Sequence, residues 1–138
     1  MNSLFHLAFP VKDIDKTKEF YIDILGCKIG KSSENWLNLN FFGHQLSIHL
    51  HLHMKNDPRN ILVDGTEVPL NHFGVILKKD EWDILAKRLT EKGVTFLIKP
   101  HIRHENQVCE QAAMFLTDPS GNGLEFKCYT DPQHIFEH

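Results

Sequence analysis

The chain has 138 residues, of which 41% are hydrophobic and 24% charged, and a formal net charge of −3. This is the range of one soluble globular domain with a sizeable core. The small negative charge, without basic runs, gives no reason to expect nucleic acid or an anionic membrane surface as partner. No apolar run reaches the roughly 20 residues that span a bilayer and no signal peptide is recognisable, so we predict a cytoplasmic protein.

The first part of the chain, residues 1–53, predicts one βαβββ module. Residues 4–11 alternate as a strand, and His6 lies on its less apolar face. Asp13 is placed to cap a helix that ends at Gly26. The strands that follow are predicted at about 27–31, 36–42 and 45–52.

Residues 54–70 are rich in turn signals without sustained periodicity, which predicts a connection between two halves. A second βαβββ module is then predicted over residues 71–130, followed by a tail at 131–138. Its first strand runs from His72 to Leu77.

The helix of the second module is predicted to begin at an Asp80 cap and to end at Gly93. Pro100 should stop the strand after this helix, because a proline cannot donate to a strand ladder. The remaining strands are predicted at 94–98, 111–117 and 123–129.

The two modules repeat the same landmarks. Two histidines lie 66 residues apart, while two aspartates and two glycines lie 67 apart. These pairs are His6 and His72, Asp13 and Asp80, and Gly26 and Gly93. The period is too long for a solenoid unit and is typical of two copies of a small module. We therefore predict one α+β domain, in which two βαβββ modules related by a pseudo-twofold axis form a curved mixed sheet around a metal-binding cleft.

A metal site is predicted from two histidines and one glutamate. The repeat would point His6 and His72 into the shared cleft, and the alternation of the last strand places Glu125 opposite its apolar residues. Two imidazoles and one carboxylate form the facial triad of non-haem Fe(II) oxygenases, and they also suit Ni, Mn, Co or Zn. The alternative is that Glu125 pairs with Lys127 or solvent and that the histidines are ordinary strand residues.

Ten histidines are unusual for this length, and three of them share one face of a predicted strand with Ser47. These are His49, His51 and His53. Side chains on one strand face repeat every ~6 to 7 Å, so the three cannot all bind one ion. By the repeat, the counterpart of Glu125 is His49 or a near neighbour. His49 is therefore predicted to be either a fourth ligand or an acid/base that acts on the substrate.

The segment 101–110 has no counterpart of matching length in the first module, which predicts a functional loop. His101, Arg103 and Gln111 bracket it as candidate substrate contacts. Arg103 could hold a carboxylate or phenolate with two hydrogen bonds, although most loop arginines are simply solvated. Trp36 is a candidate for an apolar pocket wall, although strand aromatics more often belong to the core.

Four stretches of the chain resemble the vicinal oxygen chelate superfamily, which includes glyoxalase I, extradiol dioxygenases and bleomycin or fosfomycin resistance proteins. The stretches are Phe5-His6-Leu7, Phe20-Tyr21 before Leu25-Gly26, His72-Phe73-Gly74-Val75, and Asp118-Pro119-Ser120-Gly121-Asn122 before Leu124-Glu125-Phe126. Together they span nearly the whole chain. The resemblance implies that one divalent ion is held by His6, His72 and Glu125 and is chelated by adjacent oxygens of a small-molecule substrate.

The resemblance favours an Fe(II) dioxygenase acting on a catechol-like substrate. Glyoxalase I would have a glutamate where this chain carries His49, whereas extradiol enzymes use a nearby histidine as acid/base, a role that suits His49 or His51. The first alternative is a glyoxalase-type isomerase or lyase that uses Ni or Zn. The second is a small-molecule-binding resistance protein. The exposed sheet edges and the family resemblance also predict a homodimer.

Overall fold

The computed structural model describes residues 3–137 and divides the chain into two units, unit 1 (Met1–Asn56) and unit 2 (Asp57–His138). The strands of unit 1 are β1 (His6–Val11), β2 (Lys28–Ser32), β3 (Trp36–Phe41) and β4 (His44–Leu50). Its helix α1 (Ile14–Lys18) continues directly into a π-helical turn at Glu19–Ile24.

Local chemistry explains the start of unit 1. Along β1 the apolar side chains turn inward, ending in the fully buried Val11, while His6 is exposed. The Asp13 carboxylate accepts a hydrogen bond from the Lys16 amide at 2.9 Å and so caps α1 as predicted. Gly26 ends the helical segment with a φ of 83°, a conformation that costs glycine little.

Over its described residues, 57–137, unit 2 contains six strands and one long helix, α2 (Lys79–Glu91). The strands are β5 (Asn60–Val63), β6 (Thr66–Pro69), β7 (His72–Phe73), β8 (Phe96–Arg103), β9 (Gln111–Thr117) and β10 (Gly123–Tyr129). The apolar stripe of α2 packs into the core, and its Trp82 donates a hydrogen bond from Nε1 to the Phe126 carbonyl at 2.9 Å. A short 3₁₀ turn at Pro132–Ile135 follows β10.

The two units share one topology. The sheet of unit 1 has the order β1-β4-β3-β2 and that of unit 2 the order β7-β10-β9-β8. In each sheet the first pair is parallel and the other pairs are antiparallel. The predicted α+β class and the two βαβββ modules are therefore confirmed.

The segment 54–70 contains a hairpin that the sequence analysis did not predict. Strands β5 and β6 pair in register around a two-residue turn, Asp64-Gly65, whose φ angles are 48° and 82°. Two positive φ angles are typical of a type I′ turn, which matches the twist of the flanking strands. The turn signals of residues 54–70 were predicted, but the two short strands that flank Asp64-Gly65 were not.

The prediction that Pro100 ends a strand is wrong. Strand β8 continues through Pro100 to Arg103. The proline is tolerated because β8 is the outermost strand of its sheet and its pairing with β9 is irregular between Ile98 and His101.

Three other predicted boundaries shift. The cap of α2 is Lys78, whose amide donates to the Glu81 carboxylate at 3.3 Å, and Asp80 lies inside the first turn. β7 ends at Phe73, although Ile76 still pairs with Lys127 beyond it. β4 ends at Leu50, so His51 and His53 lie past the end of the strand. No helix formed by residues 3–137 is long and apolar enough to cross a membrane.

Candidate metal centre

The pairing of β7 with β10 brings His72 and Glu125 together in unit 2. His72 lies opposite Gly123, and Glu125 follows two residues later on the same face of β10. His72 Nε2 lies 3.2 Å from Glu125 Oε2. The Glu125 side chain is only 8% exposed, so the carboxylate is largely removed from water.

The second nitrogen of His72 fixes the state of the ring. Nδ1 lies 2.9 Å from the Pro69 carbonyl oxygen, which can only accept, so Nδ1 carries a hydrogen. Nε2 then faces a carboxylate oxygen, and two acceptors at this distance require a proton or another cation between them. A histidine held through one nitrogen by a carbonyl and presenting the other to a cation is the usual arrangement of a metal ligand. The donor set therefore fits a divalent ion.

Two glycines permit this approach. A Cβ on Gly74 would lie 1.6 Å from the Glu125 carbonyl oxygen, so no other residue fits there without moving the backbone. A Cβ on Gly123 would lie 3.1 Å from the Cβ of His72. The backbone at Gly74, just after β7, thus lies directly against the backbone of Glu125.

The surroundings of the Glu125 carboxylate only partly balance its charge. Lys127 Nζ lies 3.8 Å from Oε1, beyond hydrogen-bonding distance. The Phe115 ring meets the His72 ring edge to face, with centroids 4.7 Å apart. The predicted alternative, a Glu125 that pairs with Lys127 or solvent, describes this site less well than the closer contact with His72 does.

The corresponding place in unit 1 holds no carboxylate. His6 lies opposite Gln45, so the residue two positions later, Ser47, is the counterpart of Glu125. The prediction was His49 or a near neighbour, and Ser47 is that neighbour, two residues before His49 on the same strand. His6 Nδ1 lies 2.8 Å from Gln45 Oε1, and Ser47 Oγ donates to Asn38 Oδ1 at 2.8 Å.

The other predicted site histidines of unit 1 lie on or just after β4. His49 is exposed and pairs across the strands with Trp36, which is half-buried. His51 is exposed after β4, where its amide donates to the Val11 carbonyl. Within either unit, the described residues include no group of three or more His, Cys, Asp or Glu side chains placed to hold a metal ion.

The predicted substrate contacts of unit 2 form a cluster with a residue that the sequence analysis missed. His101 Nε2 and Arg103 Nε lie 2.9 and 2.8 Å from the same oxygen of Asp64, at the tip of the β5–β6 hairpin. Arg103 pairs across the strands with Gln111. The hydrogen bond from His101 and the charge of Arg103 lower the pKa of the Asp64 carboxyl. The Asp-Gly turn was the one signal that could have drawn attention to Asp64.

A second acidic residue supports the start of β7. Asp57 accepts hydrogen bonds from the Arg59 side chain and from Asn71 Nδ2, the latter at 2.8 Å. The hydrogen bond from Arg59 is the main reason that the pKa of Asp57 falls to about 2. Asp57 therefore anchors the residue that directly precedes His72.

Comparison with known proteins assigns the family. The model of the Glyoxalase/Bleomycin resistance protein/Dioxygenase superfamily matches residues 3–126. The chain belongs to this superfamily. Its two βαβββ units and the strand order that they share are consistent with that membership. This confirms the resemblance drawn from the four sequence stretches.

Particular relatives cover nearly the whole chain. The solved structure of a glyoxalase/bleomycin resistance protein/dioxygenase from Alicyclobacillus acidocaldarius is 34% identical, with a TM-score of 0.81 and coverage of 98% of this chain and 97% of that one. The metallothiol transferase FosB of Lysinibacillus sphaericus is 25% identical over 91% of this chain and 82% of its own length. The fosfomycin resistance protein FosX of Listeria monocytogenes shares the fold, with 19% identity, a TM-score of 0.66 and coverage of 94% and 95%.

Proposed function

We propose that this chain is a divalent-metal-dependent enzyme that transfers a thiol to a small electrophilic substrate. The observation that carries the metal requirement is the geometry of His72 and Glu125, two acceptors 3.2 Å apart with the other His72 nitrogen already held by the Pro69 carbonyl. The transfer reaction is supported by the FosB relatives, which are metallothiol transferases and match 91% and 87% of this chain.

The proposed protein ligands are His72, Glu125 and, from unit 1, His6. When bound, the ion would act as a Lewis acid and as a template for adjacent substrate oxygens. Hydrogen bonding of His72 Nδ1 to Pro69 keeps Nε2 directed at the ion position. Phe115 limits ring rotation and helps to exclude water beside the carboxylate.

In a thiol transfer, the thiolate sulfur forms a bond to an electrophilic carbon. The electrons of the bond that breaks move to an oxygen, which then takes up a proton. His49 and His51 remain the proposed acid/base residues for that proton, because both are exposed histidines on or next to the polar face of β4. The substrate is a small molecule.

A second candidate is an Fe(II) dioxygenase acting on a catechol-like substrate. The observation that favours it is the 34% identity to the Alicyclobacillus protein, whose name includes the dioxygenases. The ligand set of two histidines and one glutamate is the same for both candidates. A glyoxalase-type isomerase or lyase using Ni or Zn is less favoured, since Ser47 provides no second carboxylate at the position equivalent to Glu125.

The metal requirement is tested by metal analysis of protein purified anaerobically. We expect about one divalent ion per chain, and we expect Glu125→Gln to lose it while keeping the circular dichroism spectrum of the folded chain. Glu67→Gln is the matched control, because it makes the same change at an exposed carboxylate on β6 that is not among the proposed ligands. Retention of the ion by Glu125→Gln would overturn the ligand assignment.

The reaction is tested on metal-loaded protein. Consumption of glutathione or cysteine with a panel of epoxides, without O₂ uptake, is expected for the transferase. O₂ uptake with catechols and no thiol consumption would reject the transferase in favour of the Fe(II) dioxygenase. Turnover of a thiohemiacetal with Ni, without O₂, would reject both in favour of the isomerase.

We also propose a homodimer. β1 is the outermost strand of its sheet, and the preceding Leu4 and Phe5 are 69% and 62% exposed. An open strand edge beside exposed apolar side chains favours association. Sedimentation equilibrium should give twice the mass of the chain, and a monomer at micromolar concentration would contradict the proposal.

A further inference from the structure

Two facing residues at one end of the unit 2 sheet each have one buried polar atom without a hydrogen-bond partner. Among the described residues, only Arg103 Nε and Gln111 Oε1 are buried side-chain polar atoms without a hydrogen-bond partner. They belong to a directly paired position of β8 and β9, and Gln111 is 8% exposed. One atom is a donor and the other an acceptor. Buried polar groups are nearly always satisfied, so two complementary exceptions side by side indicate a place for a missing group.

Asp64 lies next to these two atoms but satisfies neither with a hydrogen bond. Its Oδ2 lies 2.8 Å from Arg103 Nε, but the pair lacks the alignment of a hydrogen bond. The same oxygen lies 2.9 Å from His101 Nε2, and His101 Nδ1 lies 3.0 Å from the Lys99 carbonyl. Both nitrogens of His101 therefore lie beside acceptor oxygens. The lowered pKa of Asp64 agrees with a cluster that favours an anion.

The cluster lies on the same sheet face as the proposed metal ligands. Glu125 pairs with Phe115, and Gln111 lies four residues from Phe115 on the same strand and therefore on the same face. At roughly 3.4 Å per residue, Gln111 lies about 14 Å from Phe115 along β9. A ligand that reaches both places must be elongated.

We propose that His101, Arg103 and Gln111 form a distal substrate subsite for a carboxylate that carries an adjacent hydroxyl or ammonium group, and that Asp64 occupies this subsite when no ligand is bound. The ligand carboxylate replaces the Asp64 carboxylate on His101 and Arg103. The neighbouring O–H or N–H donates to Gln111 Oε1, which Asp64 cannot satisfy because an ionised carboxylate has no donor. The ligand enters when the tip of the β5–β6 hairpin moves aside.

The role of this subsite in the reaction rests on the proposed function, but the binding of a carboxylate to it does not. Binding can therefore be measured on metal-free protein by NMR, following the His101 and Arg103 side chains. The probes are lactate, propionate and lactamide. We expect lactate to bind about three- to tenfold more tightly than propionate, because only lactate can donate to Gln111, and lactamide to bind least because it lacks the anion.

Variants separate a ligand subsite from a purely structural anchor. Asp64→Asn should tighten propionate binding about threefold or more by removing the competing charge, whereas Glu67→Gln on the same hairpin should leave it unchanged. Gln111→Leu should abolish the preference for lactate while keeping propionate affinity. If Gln111→Leu does not fold, the comparison of lactate with propionate in the unaltered protein decides the role of Gln111.

Three results would overturn the proposal: equal binding of lactate and propionate, no gain in Asp64→Asn, or a lactate preference that survives Gln111→Leu. Weaker propionate binding in Asp64→Asn would show that Asp64 only anchors the hairpin. Repeating the titration in Glu125→Gln separates this proposal from the proposed function. If Glu125→Gln keeps both the lactate preference and the divalent ion, only the proposed function is rejected. If it loses the ion as expected and neither it nor the unaltered protein prefers lactate, only the subsite is rejected.

Discussion

The two units have the same strand order and the same pairing of their first strands, yet they place different chemistry at equivalent positions. Unit 2 has His72 and Glu125 in contact, and unit 1 has His6 and Ser47 at the same register positions. The neighbouring strands differ accordingly. Glu125 lies opposite the apolar Phe115, whereas Ser47 lies opposite Asn38 and donates a hydrogen bond to it.

Equivalent positions of the two units therefore differ in whether they need a further partner. In unit 1 a neutral hydroxyl and an amide satisfy each other, so this position needs no further partner. In unit 2 a buried carboxylate faces a histidine whose other nitrogen is already bonded, so the position calls for a cation. The repeat supplies the scaffold twice, and the residue two positions after the one that pairs with the histidine decides which copy carries a carboxylate.

The largest expected effect comes from replacing Gly74 with the residue at the equivalent position of unit 1. Gly74 lies two residues after His72, and Ala8 lies two residues after His6. Gly74→Ala would force a Cβ against the Glu125 carbonyl oxygen, which lies 1.6 Å from its ideal position. We expect a loss of at least about 3 kcal/mol in the free energy of unfolding measured in urea. Gly30→Ala is the control, since its Cβ would come no closer than 3.4 Å to the Asn38 carbonyl oxygen. Equal stability of the two variants would mean that the close approach at Gly74 is not maintained.

The second change copies Ser47 into the metal site. Glu125→Ser should weaken divalent-metal binding by roughly 100-fold or more, because even partners of the ligands contribute ten- to 100-fold in such sites. Ser47→Ala, at the equivalent position of unit 1, should leave metal binding within about threefold of the original. Isothermal titration of metal-free protein measures both. A similar loss in both variants would mean that Ser47 also contributes to the ion site.

The sequence was sufficient for the repeat and for much of the fold. Hydrophobic alternation, the helix-ending glycines and the regular offsets predicted both βαβββ units, because those signals are local and occur twice. It also placed Glu125 on the face opposite the buried Leu124 and Phe126, as observed. The metal assignment that combines His6, His72 and Glu125 stays a prediction.

The features that could not be predicted from the sequence depend on tertiary structure. Pro100 lies inside β8 because this strand is the outermost of its sheet and is irregularly paired. The residues around Pro100 do not indicate whether the strand lies at the edge of a sheet. The counterpart of Glu125 could be predicted only as His49 or a near neighbour, because the strand register that selects Ser47 is not encoded in the local sequence pattern. Asp64 was missed because its partners, His101 and Arg103, are distant in sequence.

The third prediction compares a hairpin turn from each unit. The Asp64-Gly65 turn and the Phe42-Gly43 turn both have two positive φ angles, but only the first carries a carboxylate paired with histidine and arginine. The pKa of Asp64 is lowered in the folded state, so its stabilising contribution is present above the unfolded value of about 3.9 and is lost as pH falls through the folded value. Amide exchange in β5 and β6 should therefore accelerate in acid, relative to the turn at Gly43. Asp64→Asn should remove that difference, and an unchanged acid dependence would contradict the assigned pairing.

The smallest expected effect concerns the cysteines of the two units. Burial raises the pKa of Cys27 in unit 1 to about 12 and also raises the pKa of Cys128 in unit 2, whereas Cys109 is exposed. Because the thiolate is the reactive form, iodoacetamide at pH 8 should modify Cys109 at least tenfold faster than either buried thiol, as measured by mass spectrometry of digested protein. Cys27 becomes reactive only when the end of the α1 segment opens, so its rate reports the local stability of unit 1. Labelling of Cys27 as fast as Cys109 in folded protein would show that unit 1 opens readily. If the destabilisation caused by Gly74→Ala is confined to unit 2, that variant should raise the labelling rate of Cys128 far more than that of Cys27.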